Sequence, residues 1–128
     1  MLKLSVLIPA RNEVAAIQDC LHSVLAQDYP KNCIEIIVAD NGSTDGTMAA
    51  VQQLGIHCYL SAAKNISILR NELASKATGE IFVYLDADCI VDEYWASSGV
   101  SLIESNTKIG AVGGYIRKPE NSHWLIDG

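Results

Sequence analysis

Ile34-Glu35-Ile36-Ile37-Val38-Ala39-Asp40-Asn41-Gly42-Ser43-Thr44-Asp45-Gly46 passes from a nearly all-apolar run into a polar loop punctuated by glycine. A short apolar run without polar alternation is what a strand buried on both faces requires. The loop reads as a turn, and an amphipathic segment from Thr47 to Leu54 follows it as a short helix, stopped by Gly55. Strand, loop and helix in that order are half of a β-α-β unit.

The same grammar extends in both directions. Leu2 to Ile8 reads as a strand ended by Pro9. Asn12 is placed to cap the next helix, Glu13 suits its positive end, and Val14, Ile17, Leu21 and Val24 draw one apolar face. Asp28 to Asn32 is a turn-rich break. Beyond Gly55, Ile56 to Leu60 is a third strand. Asn65 to Ala77 is a helix with Ile66, Leu69, Leu73 and Ala77 on its inner face, ended by Gly79. Ile81 to Leu85 is a fourth strand, Asp92 caps a helix to about Ser105, and Ile109 to Ile116 is a fifth strand that opens into Gly113-Gly114. The tail from Arg117 to Gly128 has no clear periodicity. The expectation is an α/β chain with parallel strands joined by right-handed crossover helices.

Composition agrees with one folded unit. The chain has 128 residues, 49% hydrophobic and 19% charged, which excludes disorder. A net charge of −6 argues against a nucleic-acid-binding face and against a polybasic membrane anchor. Mean hydropathy is +0.17, yet the longest apolar runs fall far short of the ~20 residues of a membrane span. The amino terminus lacks the pattern of a secretory signal, which points to the cytoplasm. Cys20, Cys33, Cys58 and Cys89 form no C-x-x-C pair and read as small buried hydrophobes, so zinc is not expected.

The chemistry collects at strand ends, where open parallel sheets bind ligands. The first strand leads to Pro9-Ala10-Arg11-Asn12-Glu13, the second to Asp40 and Asp45, the fourth to Asp86-Ala87-Asp88. Carboxylates gathered this closely call for a cation or for protons. Asp86 and Asp88 suit a Mg²⁺ or Mn²⁺ site completed by phosphate oxygens; capping or turning the chain is the alternative. The loop after Asp40 lacks the glycine and lysine pattern of a phosphate loop and is too acidic to hold one. Asp45 either accepts hydrogen bonds from a base or ribose or closes an Asx-turn. Arg70 in the third helix can reach a diphosphate, although an isolated helical arginine is commonly solvated. His123, in the tail, is a further potential metal ligand.

Taken together, Ser5 to Glu13, Ile36 to Thr47, Arg70-Asn71, Gly79 to Asp88 and Ala111 to Gly114 resemble the family 2 inverting glycosyltransferases of GT-A fold. The resemblance runs from Leu2 to about Ile116. It implies a three-layer, Rossmann-like nucleotide-binding domain with a mostly parallel sheet. It implies that Pro9, Ala10, Arg11 and Glu13 line a nucleoside pocket, that Asp40 binds the base, and that Arg70 approaches the nucleotide. Asp86 would hold the ribose or the metal's water shell, and Asp88 would ligate Mn²⁺ or Mg²⁺. The partner would be a nucleoside-diphosphate sugar, a UDP-sugar or GDP-sugar, and the product a polysaccharide, glycolipid or glycoprotein. The family's catalytic base lies tens of residues past Gly113-Gly114, so it is expected beyond Gly128. The chain therefore reads as the nucleotide-binding portion of a domain, cytoplasmic or at the inner face of a membrane. An exposed sheet edge would favour self-association. A non-catalytic nucleotide-binding module is the alternative. A haloacid-dehalogenase-like phosphatase shares the apolar strand and D-x-D but should carry a further acidic pair and a lysine.

Overall fold

A computed structural model describes residues 1–105, with the backbone of 111–112 and 115–117. Of the expected fifth strand from Ile109 to Ile116, Ile109 and Gly113-Gly114 lie outside the described residues, as does the tail with His123. One sheet carries six strands in the order β3-β2-β1-β4-β6-β5. These are β1 (Leu4–Ala10), β2 (Ile34–Asp40), β3 (His57–Leu60), β4 (Ile81–Tyr84), β5 (Ala111–Val112) and β6 (Tyr115–Arg117). The first four pair in parallel, with Leu4 opposite Ile34 and Ala10 opposite Asp40, and with Leu4 opposite Ile81 and Leu7 opposite Tyr84.

Four helices return the chain between strands: α1 (Ile17–Leu25), α2 (Thr47–Gln52), α3 (Ile66–Lys76) and α4 (Trp95–Glu104). They make the outer two of three layers. One face of the sheet packs Leu4, Val6, Ile8, Val38 and Val83 against Ile17, Leu21 and Val24 of α1, Val51 of α2, and Val100 and Ile103 of α4. The other face packs Leu7, Ile37 and Phe82 against Leu69, Leu73 and Ala74 of α3. Phe82 is the largest fully buried side chain. Burying a side chain of this kind is worth about 1.5–3 kcal/mol.

Several expectations are corrected. The last strand is two, because Ala111–Val112 and Tyr115–Arg117 pair antiparallel to each other, and the second pairs antiparallel to β4. Only two residues separate them, enough for a reversal but far too few for a parallel crossover. Pro9 does not end its strand; it pairs with Ala39 inside β1. The β1–β4 pairing stops at Leu7 and Tyr84, so the missing proline N–H falls where β4 has already left. Asn12 does not cap α1, whose N-cap is Ala16 with no side-chain bond. Val14 precedes that helix and is exposed, and Ile66 is exposed at the first turn of α3. Tyr94, not Asp92, is the N-cap of α4; Asp92 instead closes the turn before it, accepting from the Tyr94 and Trp95 amides. Of the cysteines only Cys20 is buried, and all four are free thiols. No helix among the described residues is long and apolar enough to cross a membrane.

Gly79 fixes the entry to β4. A Cβ there would lie 2.5 Å from Ser5 Oγ and 2.9 Å from the Lys3 carbonyl, so the chain needs glycine at this approach.

Candidate functional site

Strand order reverses between β1 and β4, which makes their carboxyl ends the switch point of the sheet. The two strands stop pairing at Leu7 and Tyr84, and the diverging chains open a cavity of about 360 Å³. Pro9, Ala10, Arg11 and Glu13 line one wall, Asp86, Ala87 and Asp88 the other, and Asn41, Ile66 and Leu69 close the end under α3.

Of the residues singled out in the sequence, Pro9, Ala10, Arg11, Glu13, Asp86 and Asp88 are thus brought together. Asp40 and Arg70 do not line the cavity. Asp40 is 3% exposed, and its carboxylate accepts from Ser43 N at 3.1 Å and Ser43 Oγ at 2.5 Å. Arg70 lies one residue past Leu69 on α3, with its guanidinium 5.7 Å from the centre of the Tyr84 ring. Its buried Nε finds no hydrogen-bond partner among the described residues. Asp45 closes the turn before α2: one carboxylate oxygen accepts from Thr47 N and Oγ1, the other from Val14 N. The Thr47 hydroxyl above all holds the Asp45 carboxyl below its usual range; burial opposes it, and the backbone amides add to it.

Sequence reasoning missed Asn41, Ile66 and Leu69. With its amide nitrogen turned to the carbonyls of Ser61 and Ala63, each at 3.2 Å, Asn41 is anchored at the mouth of β2. Its place directly after the strand-ending Asp40 was the available signal. Ile66 and Leu69 look like core residues by helical period alone.

Asp86, Asp88 and Cys89 place one ligand atom each within 4.8 Å of one another. The carboxylates are exposed, and no lysine or arginine pairs with either among the described residues. Cys89 Sγ donates to Asp88 Oδ1 at 3.7 Å. Burial, followed by the charges of Asp88 and Asp86, pushes this thiol up, so it stays protonated at neutral pH. The donor set left for a cation is two carboxylates, hard oxygen ligands that fit Mn²⁺ or Mg²⁺. Beneath them, the Asp86 carbonyl accepts from Cys89 N at 3.0 Å and from the buried Cys20 Sγ at 3.6 Å, which pins the loop to α1.

A doubly wound sheet with an acid-walled crevice at its switch point is the fold of the GT-A glycosyltransferases, and solved members superpose on it. The mannosyltransferase PcManGT of Pyrobaculum calidifontis, in complex with GDP-Man and Mn²⁺, matches with a TM-score of 0.78 and 28% identity, over 85% of this chain and 34% of that one. Staphylococcus aureus TarS in complex with UDP-GlcNAc matches with a TM-score of 0.71 and 26% identity, over 82% of this chain and 32% of that one. The model of the family described as Glycosyl transferase family 2 matches residues 5–126, and the chain belongs to that family. Glycosyltransferase AglE of Haloferax volcanii is 38% identical over 123 residues, 88% of this chain and 38% of AglE. The chain thus spans about a third of the length of these relatives. Membership sets aside the dehalogenase-like reading of Asp86-Ala87-Asp88.

Proposed function

We propose that the crevice binds the nucleoside diphosphate of a sugar donor, for transfer of the sugar to an acceptor hydroxyl with inversion. The observation that carries this is the pair of exposed, unpaired carboxylates, Asp86 and Asp88, facing Pro9–Glu13 across the cavity. Nucleotide sugars in the PcManGT and TarS complexes support it.

Asp86 and Asp88 are the residues that would hold Mn²⁺ or Mg²⁺. The cation supplies Lewis-acid stabilisation of the negative charge that gathers on the leaving diphosphate. Arg11 on the facing wall adds a guanidinium for the phosphates, and Arg70 approaches from α3. Pro9, Leu69 and Ile66 offer apolar surface to the base, and Asn41 offers it a hydrogen-bonding edge, with Asp40 behind. The acceptor hydroxyl attacks the sugar from the face opposite the diphosphate. A carboxylate base must take its proton.

Thermal unfolding with UDP, GDP, CDP, ADP and dTDP, each with and without Mn²⁺, tests the reading. A ligand at 100 times its Kd adds about 2.7 kcal/mol, which raises the midpoint of a domain this size by several degrees. The expected result is a Mn²⁺-dependent rise with UDP or GDP. No rise with any nucleotide would overturn it.

A further inference from the structure

Three consecutive backbone amides, the middle one that of the cavity-lining Glu13, are each caught by a side chain of the β2–α2 loop or of the first residue of α2. Asn12 N donates to Ser43 Oγ at 2.8 Å, Glu13 N to Thr47 Oγ1 at 3.0 Å, and Val14 N to Asp45 Oδ2 at 3.2 Å. Asn12 answers in kind, its Oδ1 accepting from Thr44 N at 2.8 Å. Asn12 is also the one non-glycine residue with positive φ among the described residues, at 52°. Asparagine tolerates that conformation when its side chain bonds locally, and here the bond reaches across to another loop.

The polarity of the Ser43 bonds is fixed by proton count. A serine hydroxyl has one hydrogen and two lone pairs. The Asn12 amide can only donate to Ser43 Oγ, so Ser43 gives its own hydrogen to Asp40 Oδ1 at 2.5 Å. Its lone pairs then face Asn12 N. Asp40 itself is buried and does not line the cavity, and its side chain reaches the Asn12 amide through the Ser43 hydroxyl.

We infer that Asp40, Ser43 and Asn12 form a positioning relay: the buried carboxylate orients the Ser43 hydroxyl, which fixes the Asn12 amide and so presents Arg11 and Glu13 to the nucleotide. The inference rests on the nucleotide-binding reading above. It gives Asp40 a role by way of two other residues in place of contact with the base. Thr47 and Asp45 brace the next two amides, those of Glu13 and Val14.

The test compares Ser43→Ala, which deletes the relay atom, with Ser43→Thr, which keeps it. Affinity of the full chain for UDP and for GDP is measured by calorimetric titration with Mn²⁺, beside the unfolding midpoint without nucleotide. For whichever nucleotide the unaltered chain binds, Ser43→Ala is expected to bind about five- to tenfold more weakly, the size of one positioning hydrogen bond. Ser43→Thr should stay within about twofold. A lowered midpoint with unchanged affinity in Ser43→Ala would reduce the relay to a structural brace and overturn the inference. So would equal weakening by Ser43→Thr, since the hydroxyl would then not be the carrier. If Ser43→Ala does not fold, Ser43→Cys decides: it nearly keeps the size of the side chain but offers Asn12 N only a weak sulfur acceptor, and wild-type affinity in it overturns the relay. An unaltered chain that binds neither nucleotide overturns the pocket reading and the relay with it, an outcome distinct from the others.

Discussion

Glu35 and Asp86 sit at opposite ends of one parallel sheet, in opposite circumstances. At the amino ends of the strands, Glu35 accepts from Ser5 Oγ at 2.8 Å and from Thr78 N and Oγ1, each at 2.9 Å. Lys3 Nζ stands 4.0 Å away, in the one ion pair among the described residues. Burial works to raise this carboxyl, but the bonds from Thr78 and Ser5 and the Lys3 charge outweigh it and hold it below the usual range. At the carboxyl ends, Asp86 and Asp88 lie together in the open with a single thiol for company. The closed cluster stabilises the fold with or without a ligand. The open one adds mutual repulsion until a cation arrives, and that is how a fold reserves a place for something it does not contain.

Mutation should separate the two ends. Asp88→Ala is expected to have the largest effect, a loss of Mn²⁺-dependent nucleotide affinity of a hundredfold or so, with the unfolding midpoint of the free chain unchanged or slightly raised. Titration with and without Mn²⁺ checks it, and an unaltered Mn²⁺ dependence would remove the contrast. Gly79→Ala acts at the closed end. Its Cβ meets Ser5 Oγ and two backbone atoms, so a loss of about 1–3 kcal/mol is expected by denaturant unfolding, while the folded fraction keeps its nucleotide affinity.

Glu35→Gln is subtler. Its native carboxyl lies below the ordinary 4.5, so its ionised form adds stability that is present above that value and fades as pH falls through the lowered one. The substitution should cost about 1 kcal/mol near pH 7 and flatten the acid limb of the stability profile. Equal pH profiles for both chains would show that Glu35 is not held as described. The smallest expected change is Cys89→Ser, which keeps a donor beside Asp88 and should alter Mn²⁺-dependent affinity by less than about threefold. A much larger loss would make the sulfur itself a ligand.

The legible parts of the molecule were those decided by burial along the chain. Ile36 to Ala39 and Ile81 to Val83 are apolar without alternation because helices cover both faces of the sheet, and that pattern needs no partner to be read. Asp86 and Asp88 were legible because they directly follow such a run. The misread residues are those whose partners are distant. Asn12 looks like a helix cap until Ser43 and Thr44 claim it from across the sheet edge. Pro9 looks like a stop until the early departure of β4 frees the position it occupies. Ile66 keeps the period of a core residue, but it lies in the first turn of α3, over the cavity.

The central place of β1 has a consequence for synthesis. Among the described strands it is made before both of its partners, β2 following after some twenty residues and β4 after some seventy. At about 5–20 residues per second, Tyr84 emerges roughly four to fifteen seconds after Ala10. Through that interval Val6 and Ile8, both fully buried in the folded chain, have at most one neighbouring strand. Pairing this remote is slow as well as late. The chain therefore depends on whatever shields its nascent first strand, and a pause in translation before Ile81 would prolong the time in which that strand can aggregate.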